Sequence, residues 1–157
     1  MCIRDRASGG RARAVLSNSG QANACTGDRG LADSLTATAA AAERLGLTAE
    51  EVLICSTGVI GVPIPMDTLI AGLDPVVAAL SSEGGAAAAR AILTTDLVEK
   101  QISLEAELGG RRVRIGGMAK GSGMIHPNMA TMLGYLTCDA GVPAAVWQGM
   151  VKRAVDR

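Results

Sequence analysis

Aromatic residues are scarce in this sequence, and their scarcity excludes several kinds of binding protein. Of the 157 residues only Tyr135 and Trp147 are aromatic, and phenylalanine is absent. Proteins that bind single-stranded nucleic acids stack the bases on aromatic side chains. The 15 lysines and arginines are balanced by 15 acidic residues, so no electrostatic nucleic-acid or membrane partner is expected. A small neutral or zwitterionic partner is predicted instead.

Metal sites, disulfide frameworks and membrane spans are not indicated either. The 4 cysteines form no CxxC pair, which favours a reducing, cytoplasmic compartment. His126 is the only histidine and no GxSxG motif is present, so neither a histidine metal cluster nor a Ser-His-Asp triad is predicted. No apolar run reaches the roughly 18 to 20 residues that span a bilayer. We therefore expect a soluble protein without a metal ion or a cofactor.

Both ends of the chain look truncated. Residues 1–6 read as translated sequencing adapter, and they are left out of the fold prediction. The predicted last helix, residues 143–157, ends without a glycine or proline stop signal. The length fits about one domain. We expect one structural domain that continues beyond this sequence.

The first half of the chain predicts helices and strands in alternation. A strand is predicted at residues 12–17 and a buried strand at 52–56, because both runs are apolar and β-rich. Residues 18–28 read as turn. An alanine-rich helix is predicted over residues 35–45, with Asp33 or Ser34 as N-cap, Gly46 after its end, and a capping box that begins at Thr48.

The second half predicts short helices and then a β-hairpin. Helices are predicted at residues 67–73, 75–80 and 86–93. The hairpin joins residues 101–108 to residues 111–115 through a Gly-Gly turn. This order of helices and strands predicts a layered, mixed α/β fold.

Two segments contain groups that could take part in catalysis. Residues 116–123 are glycine-rich, but they lack the Lys-Ser or Lys-Thr pair of a phosphate-binding loop. We interpret these glycines as letting the backbone fold tightly around a reacting bond. Lys120 could hold a substrate carboxylate, although its residue type alone favours a solvated surface position. Thr57 and Gly58, after the buried strand, could donate to an oxyanion or form an ordinary turn.

The bond between Ala130 and Thr131 suggests a specific chemistry. Cleavage there would leave a threonine hydroxyl beside its own α-amine, which titrates near ~8 and can accept the hydroxyl proton. The alternative is that Thr131 merely opens the β-rich run 131–137.

Four ordered blocks together resemble the ornithine acetyltransferase family of arginine biosynthesis. They are residues 18–27 (NSGQANACTG), 56–65 (STGVIGVPIP), 94–96 (TTD) and 116–133 (GGMAKGSGMIHPNMATML). The resemblance implies an α/β/β/α layered sandwich and a precursor that cuts itself before a threonine. It also implies a ping-pong transfer of acetyl from N2-acetylornithine to glutamate, and some members accept acetyl-CoA as donor.

The resemblance also implies a role for individual residues. Thr131 would be the nucleophile, with cleavage between Ala130 and Thr131. Thr57 and Gly58 would form the oxyanion hole. Lys120 and Thr94 would bind substrate, with Thr95 as a close rival to Thr94.

The resemblance further implies how this sequence divides between the two chains of the mature enzyme. Residues 7–130 would be part of an α chain and residues 131–157 the start of a β chain, in an α2β2 assembly. Further substrate-binding residues would lie beyond Arg157, so this fragment is expected to be inactive alone.

Two other functions are compatible with the residues. One is an N-terminal-nucleophile aminopeptidase or amidohydrolase of related fold, which transfers to water. The other is a non-catalytic module that binds an amino acid, in which Thr131 is structural.

Overall fold

The computed structural model of the chain describes residues 10–122 and 132–156. It has a mixed α/β fold, which confirms the predicted fold class. In chain order the elements are β1 (Ala14–Gln21), α1 (Gly27–Leu45), a 3-10 turn (Ala49–Glu51), β2 (Val52–Val59), α2 (Met66–Ala78), α3 (Gly85–Ala91), β3 (Lys100–Leu108), β4 (Arg111–Lys120), β5 (Leu133–Cys138) and α4 (Ala144–Val155).

The first sheet is a parallel pair whose strands are joined by α1. Strand β1 pairs with β2 in one register throughout, from Ala14 opposite Val52 to Gln21 opposite Val59. Helix α1 packs on this pair through small side chains, because alanine lets a helix approach a sheet closely. The core formed here consists of the buried residues Ala41, Ala42, Val52 and Leu73.

The second sheet is antiparallel, with strand order β3-β4-β5. The predicted hairpin is confirmed: Gly109 and Gly110 have φ angles of 59° and 74°, as a type I′ turn requires. Strand β3 is exposed along its whole length, and β4 buries Val113 and Lys120. This sheet therefore contributes less to the core than the parallel pair does.

Strand β4 continues beyond the predicted hairpin and includes two of the glycines that we interpreted as a tight fold. Gly116 pairs with Thr137 and Gly117 with Leu136 on β5. The interpretation is wrong for this pair, because both residues lie in extended backbone inside the sheet. A Cβ at Gly116 would lie 2.9 Å from the Thr137 hydroxyl, and one at Gly117 would lie 3.1 Å from the Leu136 side chain. Cross-strand packing explains these glycines.

Helix α1 ends as predicted but begins much earlier. Gly46 follows it with a left-handed φ of 63°, and the capping box of Thr48 and Glu51 is present. The helix begins at Gly27, so residues 18–28 are strand at one end and helix at the other instead of turn throughout. The Asn23 side chain explains the difference, since it donates to the Gly30 carbonyl at 2.7 Å and supports the low-propensity first turns.

Helix α2 replaces the two short helices that were predicted on either side of Pro75. It runs unbroken from Met66 to Ala78 with Pro75 inside it. Proline costs an interior hydrogen bond, but the helix also buries Leu73 in the core and pairs Asp74 with Arg44 of α1 at 2.6 Å. Within residues 10–122 and 132–156 no helix is long and apolar enough to cross a membrane.

Candidate active site

Three side chains that the sequence singled out meet between β2 and β4. Lys120, the last residue of β4, donates from Nζ to Thr57 Oγ1 at 2.9 Å and to Thr94 Oγ1 at 2.7 Å. Thr57 lies in β2, and Thr94 follows α3. Residues 63 and 26 positions away from Lys120 in the sequence are thus joined by one ammonium group.

Lys120 is buried, contrary to the expectation from its residue type alone. It is 4% exposed and Thr57 is 7% exposed, whereas Thr94 lies at the surface. Within the described part of the chain no ion pair includes Lys120. A buried cation whose hydrogen-bond partners are both neutral hydroxyls is costly. Its position between two hydroxyls therefore makes it a suitable partner for an anionic group of a ligand.

The direction of these hydrogen bonds determines what the hydroxyls can do. An ammonium group only donates, so both threonine oxygens act as acceptors toward Lys120. Each hydroxyl keeps its own proton, which it can donate to a third group. The positive charge on Nζ polarises the Thr57 hydroxyl further. Thr57 is thereby a strong donor in a buried place, as a group that stabilises an oxyanion must be.

Strand β2 continues through Thr57 and Gly58 to Val59, so the predicted strand end at residue 56 is wrong. Gly58 has a φ of 132°, and a Cβ placed there would lie 2.1 Å from the Gly20 carbonyl oxygen on β1. Close approach of the two parallel strands therefore requires glycine at this position. A β-carbon is excluded by the neighbouring strand before any ligand is considered.

The structure distinguishes Thr94 from Thr95, which the sequence could not do. Thr94 shares Lys120 with Thr57, whereas the Thr95 hydroxyl donates to the Ser122 carbonyl at 3.1 Å. Thr94 is thus the member of the pair that belongs to the lysine cluster.

Asp96 is a neighbour of this cluster that sequence reasoning did not select. Its side chain is 0% exposed, and Oδ1 accepts from the Gly121 N–H at 2.8 Å and from Lys100 Nζ. The hydrogen bond from Lys100 is the main reason why the pKa of Asp96 is lowered, helped by Gly121 and opposed by burial. The signal in the sequence was a carboxylate directly after the two threonines.

Other parts of the prediction fall outside the described residues. Ala130, Thr131 and His126 belong to the segment 123–131, so the nucleophile and the cleavage site stay predictions. An apolar cavity of about 370 Å³ opens between β1, α1 and α2, and none of the cluster residues lines it. In residues 10–122 and 132–156 no group of acidic, cysteine and histidine side chains could hold a metal ion.

Comparison with known proteins relates the chain to enzymes of arginine biosynthesis. It is 77% identical over 151 residues to the arginine biosynthesis bifunctional protein ArgJ of Prochlorococcus marinus (strain MIT 9313). It is 74% identical over 151 residues to the protein of the same name in Parasynechococcus marenigrum (strain WH8102). These alignments cover 96% of the chain in both cases. The chain spans only 35% and 37% of the length of these two relatives.

Two solved structures are similar to the fold described above. The arginine biosynthesis bifunctional protein ArgJ of Bacillus halodurans matches with a TM-score of 0.72 and 45% identity, over 81% of this chain and 68% of that one. The ornithine acetyltransferase of Mycobacterium tuberculosis complexed with ornithine matches with a TM-score of 0.72 and 41% identity, over 86% of this chain and 69% of that one. The family model for ArgJ matches residues 1–157. The chain therefore belongs to the ArgJ family.

Proposed function

We propose that this chain is part of an acetyltransferase that moves an acetyl group from N2-acetylornithine to glutamate. The acetyl group is carried on Thr131, which becomes an N-terminus when the precursor cuts itself between Ala130 and Thr131. The proposal is supported by membership of the ArgJ family and by the ornithine that the M. tuberculosis relative binds. Residues 7–130 then belong to an α chain and residues 131–157 to a β chain.

The observation that carries the proposal is the cluster of buried Lys120 and Thr57 with the surface residue Thr94. Nζ of Lys120 lies 2.9 Å and 2.7 Å from the two hydroxyl oxygens. The cluster combines a cation without a described carboxylate partner and a polarised hydroxyl with a proton to donate. Acyl transfer between amino acids needs both: a positive group for the substrate carboxylate and a donor for the oxyanion.

The chemistry follows from these groups. The Thr131 hydroxyl attacks the acetyl carbonyl of N2-acetylornithine and passes its proton to the Thr131 α-amine. The carbonyl oxygen becomes an oxyanion, which the Thr57 hydroxyl stabilises together with the Gly58 N–H. One such preorganised donor lowers the barrier by about 3 to 4 kcal/mol. The C–N bond then breaks, and ornithine leaves with the proton on its amine.

The second half of the cycle repeats the first with another amine. The glutamate amine attacks the acetyl ester on Thr131, and the same donors stabilise the second oxyanion. Acetylglutamate leaves and the Thr131 hydroxyl is restored. No metal ion or bound cofactor is needed for either half, and acetyl-CoA could serve as another acetyl donor because its thioester carbonyl offers the same attack geometry.

Lys120 and Thr94 are assigned to substrate binding. Lys120 would pair with the α-carboxylate that acetylornithine and glutamate share, which explains why one site accepts both. Thr94 lies at the surface end of the cluster, so its hydroxyl can reach an incoming ligand while it accepts from Lys120. We assign this contact to Thr94 in preference to Thr95, whose hydroxyl is directed to Ser122.

The proposal extends to the whole protein from which this sequence derives. We propose that it is a cytoplasmic α2β2 enzyme whose partners are small molecules, with no nucleic acid and no membrane. Since this sequence covers about a third of its relatives' length, the remaining substrate-binding groups would lie elsewhere, and the 157-residue piece would be inactive by itself.

The test uses the full-length parent protein and changes its nucleophile. Thr131→Ala should stay one uncut chain on a denaturing gel and form no acetylglutamate from N2-acetylornithine and glutamate. Thr131→Ser keeps a hydroxyl beside the amine and should be cut and active. Thr36→Ala is the matched control, because the Thr36 hydroxyl donates only to Ala32 on the exposed side of α1.

Each outcome separates the proposal from its alternatives. A Thr131→Ala protein that is still cut and still turns over would refute the role of Thr131. An unaltered parent that binds ornithine but stays uncut and transfers no acetyl would favour a binding module. Release of acetate instead of acetylglutamate by the unaltered protein would show a hydrolase with the same nucleophile.

A further inference from the structure

Asp96 is a buried carboxylate whose two oxygens have unequal surroundings. Its side chain is 0% exposed. Oδ1 accepts hydrogen bonds from the Gly121 N–H at 2.8 Å and from Lys100 Nζ at 2.5 Å, whereas Oδ2 is buried without a partner among the described residues. A buried carboxylate oxygen without a hydrogen-bond partner lowers the stability of the fold. A role in the neighbouring site would explain why an aspartate is found at this position.

The contacts of Asp96 attach it to the residue next to Lys120. Gly121 directly follows Lys120 at the end of β4, and its N–H is fixed by Asp96 Oδ1. Its carbonyl accepts from Lys100 Nζ at 3.3 Å. Both polar groups of Gly121 are therefore held by one ion pair. The peptide that leads out of Lys120 cannot rotate without breaking these bonds.

The neighbours of Asp96 add to this attachment. Thr94 accepts from Lys120 Nζ at 2.7 Å, and Thr95 donates to the Ser122 carbonyl at 3.1 Å. Thr94, Thr95 and Asp96 thus contact Lys120, Ser122 and Gly121, respectively. Three consecutive side chains of the segment after α3 thus contact the last residue of β4 and the two residues that follow it.

Charge gives Asp96 a second effect on the cluster. The hydrogen bond from Lys100 is the largest cause that lowers its pKa, and the positive charges of Lys100 and Lys120 lower it as well. Asp96 is therefore an anion at neutral pH. It partly offsets two ammonium groups and leaves one positive charge in excess beside the Thr57 hydroxyl.

We propose that Asp96 is a positioning residue of the acetyl-transfer site, which holds Lys120 against the Thr57 and Thr94 hydroxyls by fixing Gly121. This inference rests on the proposed function. Asp96 acts through Lys120, whose ammonium polarises the oxyanion donor. A displacement of that ammonium by about 1 Å is expected to lower the rate up to a hundredfold.

The experiment is a double-mutant cycle in the full-length parent. Asp96→Asn breaks the ion pair with Lys100 and replaces the charged acceptor of the Gly121 N–H with a weaker, neutral one. It should lower kcat/KM for acetylglutamate formation about tenfold. Lys120→Met removes the ammonium. If Asp96 acts through Lys120, Asp96→Asn should change kcat/KM less than about twofold when Lys120 is already methionine.

The control is Glu99→Gln, which neutralises a nearby carboxylate that pairs with Arg90 at 2.7 Å. It should leave kcat/KM unchanged. Melting temperatures of all variants show whether a loss of activity follows from unfolding. If Asp96→Asn does not fold, Lys100→Met removes a donor to the same carboxylate at a partly exposed position and should give a smaller loss in the same direction.

Several results would overturn the inference. They are an unchanged kcat/KM in Asp96→Asn, an unchanged kcat/KM in Lys100→Met where that variant replaces it, or a loss that multiplies fully with that of Lys120→Met. The last result would mean a structural role independent of Lys120. An inactive Thr131→Ala protein beside a fully active Asp96→Asn protein would refute the inference alone, whereas an active Thr131→Ala protein would refute the proposed function.

Discussion

The two sheets of this chain differ in how much of their surface is buried, and the candidate site lies between them. The parallel pair β1–β2 is packed by alanines of α1 and by Leu73 of α2, around a Val52 that is 0% exposed. In the antiparallel sheet, β3 is exposed over its whole length. The parallel unit thus supplies most of the core, and the antiparallel sheet brings Lys120 to its edge.

The comparison shows how Lys120 is buried although its own sheet contributes little to the hydrophobic core. Thr57 lies in the well-packed strand β2, which fixes its hydroxyl. Lys120 lies at the end of β4, whose other residues are mostly exposed or partly exposed. Thr94 accepts from its ammonium group, and Asp96 accepts from the N–H of the next residue, Gly121. The parallel pair fixes the position of Thr57, and the antiparallel sheet supplies the charge of Lys120. Substitutions in the two sheets should therefore affect the site in different ways.

The largest difference is expected between two glycine-to-alanine substitutions, one in each sheet. Gly58→Ala places a Cβ 2.1 Å from the Gly20 carbonyl at a φ of 132°, so it should lower the free energy of unfolding by about 4 kcal/mol. Gly134→Ala on β5 meets nothing within 4 Å and should be neutral or stabilising by about 0.5 kcal/mol. Urea denaturation of the two variants measures the difference, and equal stabilities would contradict the close approach of β1 and β2 at Gly58.

A smaller effect is expected when a leucine is truncated in each region. Leu73 is 3% exposed in the core, and Leu73→Ala should cost about 3 kcal/mol through lost burial and a cavity. Leu104 on β3 is 53% exposed, and Leu104→Ala should stay within about 0.5 kcal/mol. Thermal or urea unfolding of the 157-residue chain checks both. A large cost for Leu104→Ala would mean that β3 is covered by another surface.

The smallest effect concerns the hydrogen bond that joins the two sheets. Tyr135 on β5 shares a hydrogen bond with Ser17 on β1 at 2.7 Å, and burial raises the pKa of Tyr135 to about 12. The folded state favours the neutral phenol more than the unfolded state does. Tyr135 therefore contributes fully to the free energy of unfolding below about pH 10, and this contribution is lost as the pH rises through about 12. The expected loss is about 1 to 2 kcal/mol, reduced because the ring is partly solvated.

Tyr135 can be titrated directly because it is the only tyrosine. The absorbance of tyrosinate should have its midpoint near 12 in the folded chain and near ~10 in denaturant. Tyr135→Phe should remove this part of the alkaline loss of stability. A midpoint near ~10 in the folded chain would show that the two sheets are not joined at this residue.

Local chemistry made several features predictable from sequence. Gly46 ends α1 because only a residue without a Cβ adopts its φ of 63° at no cost. Gly109 and Gly110 gave the hairpin for the same reason. The capping box at Thr48 depends on a side chain and a backbone group three residues apart, so no distant part of the chain is needed.

Features that depend on distant residues were mispredicted or missed. The early start of α1 depends on Asn23, which supports Gly30 and Ser34 from outside the helix. The unbroken α2 depends on the burial of Leu73, which outweighs the local cost of Pro75. Local patterns cannot report such contacts, because the energy comes from a partner elsewhere in the chain.

Four blocks of residues, specific in their order and spacing, were enough to predict the family, and the same blocks contain the candidates Thr57, Gly58, Thr94 and Lys120. The burial of Lys120, its bond to Thr94 in preference to Thr95, and the support that Asp96 gives to Gly121 became visible only in the folded chain. The physical reason is that burial and hydrogen bonding of a charge depend on groups that the fold brings together from separate strands and loops.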